Sequence, residues 1–432
     1  SIGLGMVFLS SCSNWLDVQP KTTVEEEKVF SRELGFKEAL TGVYIKMAST
    51  DLYARNLSYG FIDILGQRYQ ASDALTYQNE LWYTFPSTKT ESYTKTIWEK
   101  MYNIIANVNN LLYYCDENKQ VFTTGHYYEI IKGEALGLRA FLHFDLLRMF
   151  GPVYKDNPTS KRITYRTEFS KEIKELQPSN VVMDSIISDL KKAETLLTGT
   201  DPLNFEFPVS DYEEEDMGGD RFLVYRHKRM NLYAVKALLA RVYLYAGRNE
   251  DALIMARKLV EIQPKWYPFV SYNAIMESSN KKKDRVFSTE VLFGLENRQR
   301  GDIFTDYFTP ELDNGILAPT NTSLLNIFLS ENTSDWRFTP FWIKPDNGKY
   351  SFRCFHKYEA TEETDPFYSY LVPMIRISEM FYIVAETTSD EAEARACLNQ
   401  IRRNRGLIAF EDTEMIDIQK VLKDEYMKEF FG

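Results

Sequence analysis

Between Tyr59 and Thr96 the sequence sets Tyr69, Tyr77, Trp82, Tyr83, Phe85 and Tyr93 among Gln67, Arg68, Asp73, Gln78, Asn79 and Glu80. Flat rings mixed with amides, carboxylates and a guanidinium suit a ligand that has an apolar face and a hydrogen-bonding rim. A sugar ring is such a ligand: its axial C–H bonds cover an aromatic face while its equatorial hydroxyls meet the polar groups. Trp and Tyr supply large, rigid contact area at low entropic cost. A peptide would use similar surfaces, so ring content alone leaves the two ligand classes open. A second group, Trp336, Phe338, Phe341 and Trp342, stands with Asp335 and Arg337 beside Trp336, and Trp266 and Tyr267 form a third.

Other chemistries find less support. The four histidines, His126, His143, His227 and His356, show no metal-ligand spacing, and His143 reads as a packed helix residue. Asp211-Tyr-Glu-Glu-Glu-Asp216 lacks the alternating acidic spacing of a calcium loop and reads as a solvated acidic loop, as Lys281 to Lys283 read as a solvated basic one. Cys115, Cys354 and Cys397 are far apart and odd in number, which indicates neither a disulfide framework nor a zinc site. With 62 acidic residues a glycosidase-like carboxylate pair can always be found, and nothing nominates one. The net charge of −11 argues against a nucleic-acid partner, which wants a basic stripe.

Cys12 carries a chemistry of its own. Ile2 to Leu9 is a short apolar run, and Leu9-Ser10-Ser11-Cys12 is similar to a bacterial lipobox, whose cysteine is acylated. The run falls short of the about 20 residues that span a bilayer and suits the end of a signal peptide. Several acyl chains on Cys12 would give a stable anchor where one would not. Residues 1–11 are therefore expected to be a signal-peptide remnant, with the true start missing, and 12–25 an anchor and tether.

The elements that position these residues are mainly helices. Phe36, Ala39, Leu40, Val43, Tyr44 and Met47 share one face, as do Trp98, Met101, Ile105, Val108 and Leu112. A dense helix over Glu134 to Phe150 should stop at Gly151-Pro152 and pair with one over Val181 to Leu197. Asn231 to Pro264 is the clearest helix pair: Ala237, Ala240 and Tyr243, a turn at Gly247, then Ala252, Ala256 and Leu259, with Pro264 closing, similar to a tetratricopeptide repeat. A last pair is predicted with Pro373 at the first helical position, Met374 to Glu386 buried, and Ala394, Cys397, Leu398 and Ile401 facing it up to Gly406. The final residues read as an unfinished helix. Arg376 and Glu379 are expected to form an internal ion pair, and Glu134 and Arg139 to serve the same structural purpose. The segments 59–96 and 265–370, the latter with a strand-like run Val291 to Leu295, do not follow the repeat and read as insertions.

These pieces together resemble the SusD/RagB family, the lipid-anchored nutrient-binding proteins of Bacteroidota outer membranes. The resemblance rests on Leu-Ser-Ser-Cys12 with Trp-Leu-Asp-Val-Gln-Pro20, Ala39-Leu-Thr-Gly-Val-Tyr44, Asn107-Val-Asn-Asn110, Lys132 to Ala140 running on to Met-Phe-Gly-Pro152, Val372 to Glu386, and Leu398 to Leu407. It departs from the family at both ends, where the leader is short and the closing segment after Glu429 is missing or incomplete. It implies a mostly α fold: a superhelical scaffold of tetratricopeptide-like helix pairs with long loop-rich insertions, forming a single SusD-like domain over 26–432. It implies a ligand face on 59–96 and 265–370, which makes Tyr77, Asn79, Trp82, Tyr83, Trp336 and Arg337 the candidate ligand-binding residues. It also implies a lipid-anchored, cell-surface position on the outer membrane and a SusC-like TonB-dependent transporter as partner, to which an oligosaccharide, or alternatively a peptide, would be delivered. No quoted motif is catalytic, so the expectation is a binding protein without enzymatic activity, cofactor or metal; a glycoside hydrolase is the remaining alternative.

Overall fold

Four helix pairs stack into one continuous layer in the computed structural model, which describes residues 21–432 apart from 70–76, 86, 203–221, 224–225, 314, 329–333, 347, 349 and 362–367. Glu33–Met47 packs on Thr88–Glu117, which packs on Tyr127–Phe150. Tyr127–Phe150 pairs with Ser179–Leu197, Leu232–Tyr245 with Asn249–Trp266, and Ile377–Thr387 with Glu391–Arg403. Each pair rests on the next, so apolar faces that no pair could bury alone become one core. Small residues permit the close approach: Ala237, Ala240, Ala252 and Ala256 are all fully buried between Leu232–Tyr245 and its neighbours. Asn231 caps that helix by accepting from the Ala234 amide at 2.8 Å, and Gly247 turns the chain at a φ of +72° that favours glycine. Cys12, Asp73 and the acidic loop 211–216 lie outside the described residues.

The predicted helices are present, with instructive differences at their ends. Lys21–Val29 is helical, so the expected tether gives way to structure before residue 25. Pro264 does not close its helix, which continues to Trp266 with the proline in its last turn. The larger correction concerns Pro373. Leu371–Arg376 is a strand, paired antiparallel with Val291–Glu296, and the helix starts only at Ile377. Pro373 sits opposite Gly294 beside a bulge in a two-stranded sheet, a position where a missing N–H is tolerated. An apolar run buried at most positions has no periodicity that separates strand from helix.

The two irregular segments are not independent insertions. Ala54, Tyr59, Ile64, Tyr69 and Tyr77 share a second core with side chains from Val270 to Leu371 and with Phe431. Tyr59 lies 4.3 Å from the Tyr358 ring and 5.8 Å from Phe308, centroid to centroid, and Arg55 donates to the Tyr307 hydroxyl at 2.8 Å. Most of the rings in the second aromatic group belong to this core: Phe338, Phe341 and Trp342 are buried, as are Tyr69, Trp266 and Tyr267.

Buried ions join the two cores, though not in the expected pairs. Arg376 and Glu379 do not meet: Arg376 bonds Glu429 at 2.6 Å, and Glu379 takes both ends of Arg241 at 2.6 and 2.7 Å. With Arg376 at the end of a strand and Glu379 in a helix, an i, i+3 spacing no longer implies a shared face. Glu134 and Arg139 each find other partners. Glu134 accepts from Arg226, Arg229 and Tyr44, whereas Arg139 holds Asp189 at 2.7 and 3.0 Å. Glu429 is the hub, accepting from Arg337, Arg376 and Arg405, and these cations hold its carboxyl well below the usual range against the opposing effect of burial. Gly406 is required next to this hub. Its φ is +77°, and a Cβ there would lie 2.1 Å from Trp336 Nε1.

Candidate ligand-binding face

A short helix, Gln78–Leu81, presents the exposed aromatic residues. Its inner side is fixed by Glu80, which is buried and accepts from Thr90 Oγ1 at 2.9 Å and Ser87 Oγ at 3.3 Å. Ser87 in turn caps Thr88–Glu117 by accepting from the Thr90 amide at 3.1 Å. The short helix therefore stands on the start of a scaffold helix. Tyr77 precedes it with its ring buried, and Lys89 lies 4.0 Å from the ring centroid. Burial, followed by the neighbouring Tyr307, raises the Tyr77 hydroxyl pKa well above the ordinary range, so it stays protonated.

Beyond the helix the chain turns outward. Trp82 is 74% exposed, Tyr83 52% and Phe85 46%, three large rings in four residues left in solvent. Isolated exposed rings need no explanation, but adjacent ones form the kind of patch that marks a binding surface. Tyr83 and Phe85 meet edge-on at 6.1 Å and 60°, forming a corner rather than a flat plate. Asn79, also exposed, accepts from Thr84 Oγ1 at 3.0 Å through its Oδ1. Its side-chain N–H groups are the polar donors beside the rings.

The backbone here is held away from its easy conformations. Tyr83 has φ +52° and Gln67 φ +54°, left-handed values unusual for residues other than glycine. The Tyr83 hydroxyl donates to the Leu65 carbonyl, and the Gln67 amide donates to the Leu81 carbonyl at 3.0 Å. The two strained residues thus tie the end of Phe61–Leu65 to the ring-bearing turn.

Trp336 and Arg337 are placed differently. Trp336 is half-buried, edge-on to Tyr272 at 5.3 Å and against Gly406. Tyr272 is itself 55% exposed, and sequence reasoning missed it; its only signal was a ring two residues into a polar stretch after Phe269-Val270. Arg337 is buried, with both ends on Asp335 at 2.8 and 2.9 Å and Nη1 on Glu425 at 2.8 Å. Its donors serve the fold, so it leaves the set of candidate ligand contacts.

A cleft of about 1670 Å³ opens among Thr88–Glu117, Tyr127–Phe150, Ser179–Leu197 and the loop at 165–169. Exposed Tyr113 and Phe169 line it. Several of its charges are already engaged: Asp189 with Arg139, Asp116 with Lys132, and Asp184 with Arg248 at 2.6 Å. No group of three or more His, Cys, Asp or Glu suited to a metal occurs among the described residues. No helix among them is long and apolar enough to cross a membrane.

Known proteins share this architecture. A SusD-like family described as "starch-binding associating with outer membrane" matches residues 14–204. The chain is 24% identical over 199 residues to "SusD-like protein P38" of Formosa agariphila, a match that spans 46% of this chain and 36% of that protein. The structure is similar to that of a putative sugar binding protein from Bacteroides vulgatus, with TM-score 0.71 and 25% identity over 93% of this chain and 84% of the other. It shares its fold with a "laminarin binding SusD-like protein" at TM-score 0.62 and 18% identity, covering 92% of this chain and 88% of that one. Helix pairs, irregular second core and the sequence match over residues 14–204 agree in making the chain similar to the SusD/RagB family.

Proposed function

We propose that this protein binds oligosaccharides at the outer-membrane surface and passes them uncut to a SusC-like TonB-dependent transporter, with Cys12 as its lipid anchor. The observation that carries the reading is the exposed trio Trp82, Tyr83 and Phe85 on a turn braced by Gln67 and Glu80. A braced ring stacks on a sugar without first paying the entropy of ordering itself, which matters where each contact is weak. Asn79 supplies donors for the hydroxyl rim, and exposed Tyr272 against the half-buried Trp336 offers a second pair of rings. The family description and the laminarin-binding structural relative support a glucan as the ligand class.

The test is affinity electrophoresis of the soluble chain through gels containing laminarin or starch, with the recovered glycan sized afterwards. Retardation with unshortened glycan is expected. Shortened products would replace binding by hydrolysis, and free migration through both polymers would reject the glucan reading.

A further inference from the structure

The helix Thr88–Glu117 has the exposed rings of Trp82 and Tyr83 just before its start and the large cleft against its other end. Thr88 and Tyr113 stand about 37 Å apart along it, at roughly 1.5 Å per residue, so the ring-bearing turn and the cleft are separate places. We infer that the cleft is a second site, which docks an extended segment of a partner polypeptide through its basic side chains.

Charge is the first argument. Seven carboxylates and three cations line the cleft. Four of the carboxylates are spent within the chain: Asp116 on Lys132, Asp184 on Arg248, Asp189 on Arg139 and Glu168 on Lys174. Glu26, Glu27 and Glu117 enter no ion pair among the described residues, and Lys192 is the one lining cation equally uncommitted among them. A concave wall with surplus charge of one sign focuses its field and draws in the opposite charge.

Tyr114 points to a cation independently. It lines the cleft and is only 8% exposed, yet its hydroxyl makes no hydrogen bond among the described residues. Burial, followed by Glu26 and Glu27, raises its pKa above the ordinary range, which sets both carboxylates near this hydroxyl and keeps it protonated. A phenol oxygen so placed can accept from an ammonium or guanidinium, groups that only donate. Tyr113, 57% exposed, meets Tyr114 edge-on at 5.1 Å and 74°, so a cation entering this corner finds an aromatic face beside the carboxylates.

Size and the remaining lining select the occupant. Small-molecule sites occupy about 300–1,000 Å³, and this cleft, at about 1670 Å³, is larger. Exposed Phe169 and Val181 offer apolar contact between the charges, and the Asn110 and Gln120 amides offer both donors and acceptors to a main chain. A neutral glycan has no charge to set against the three free carboxylates.

The test is fluorescence anisotropy of the full chain with a labelled pentapeptide that has lysine at both ends and phenylalanine at its centre. Saturable binding that weakens with added salt is expected, and the same peptide with glutamate in place of lysine should not bind. Glu26→Gln, Glu27→Gln and Glu117→Gln together should weaken binding at least about tenfold, and Tyr114→Phe alone about threefold. The control removes the same charge from the loop after Glu391–Arg403, by Glu411→Gln, Asp412→Asn and Glu414→Gln, and should bind the lysine peptide as the parent does. Absence of saturable binding, or an equal loss in this control, overturns the site. Displacement of the peptide by laminarin would overturn it as well, by placing both ligands in one site. Trp82→Ala should leave peptide binding unchanged, so failure of the glucan reading and failure of this one are told apart.

Discussion

Gln67 and Tyr83 hold each other's segments: the Gln67 amide reaches the Leu81 carbonyl at 3.0 Å while the Tyr83 hydroxyl reaches the Leu65 carbonyl, and both residues occupy left-handed backbone conformations. Each arrangement costs energy, and strain of this kind persists where the surroundings over-determine it. Here the reward is a fixed orientation for Trp82 and Phe85. Trp82→Ala is expected to weaken glucan binding at least about tenfold, ~1.4 kcal/mol, with folding stability changed by no more than about 0.5 kcal/mol. Titration calorimetry with a laminarin oligosaccharide and urea unfolding measure the two quantities, and unchanged affinity would remove Trp82 from the site.

The strain at Gln67 gives a paired comparison. Gln67→Ala loses the bond to Leu81 and keeps a side chain at φ +54°, whereas Gln67→Gly loses the bond and relieves the backbone. Q67G should therefore be more stable than Q67A by about 1 kcal/mol, and both should bind glucan more weakly than the parent. Equal stability of the two variants would show that the left-handed conformation is not retained in solution.

Much of this fold was legible in the sequence because helical periodicity is local. Phe36 to Met47 and Trp98 to Leu112 each repeat every three or four residues and each lies in one helix, and the same spacing on either side of Gly247 marks the two helices between Asn231 and Leu259. Leu371–Arg376 was not legible, since a strand buried at most positions reads the same as a buried helical turn. Ion partners were opaque for another reason: Arg405 meets Glu290 across 115 residues, and no spacing rule reaches so far. The aromatic candidates divide on tertiary structure alone. Trp82 and Trp342 sit in similarly irregular, ring-rich stretches, yet one is 74% exposed and the other 1%. Only the shared second core distinguishes them.

The hub at Glu429 predicts a large stability effect. Three arginines from separate segments, Arg337, Arg376 and Arg405, converge on it, and all four groups are buried. Glu429→Leu leaves three buried guanidiniums short of their shared partner, at a cost of about 3–5 kcal/mol. Because Arg376 and Arg405 fall in stretches that carry the family resemblance, a loss under about 1 kcal/mol by urea unfolding would contradict the structural role assigned to those stretches.

His143 sets an acid limit. Its Nδ1 bonds the Arg139 carbonyl at 2.8 Å, so it carries the proton, and Nε2 accepts from the Arg166 amide at 2.9 Å. Both ring nitrogens are used by the neutral form, and burial pushes the pKa down to about 3 from 6.5. Between those values the unfolded chain holds a proton on this ring that the native chain does not. Stability from this residue is thus fully present above pH 6.5 and drains as the pH falls toward 3, by up to about 1.4 kcal/mol per pH unit. Asp63 and Asp284, raised by burial to about 6, act in the opposite sense, since the native chain takes up their protons first. The comparison must therefore be between variants. His143→Gln offers one donor and one acceptor without a titrating group, and its stability between pH 6 and 4 should fall less steeply than the parent's. Parallel curves from chemical denaturation at each pH would mean that His143 is already charged, or already exposed, in the native protein.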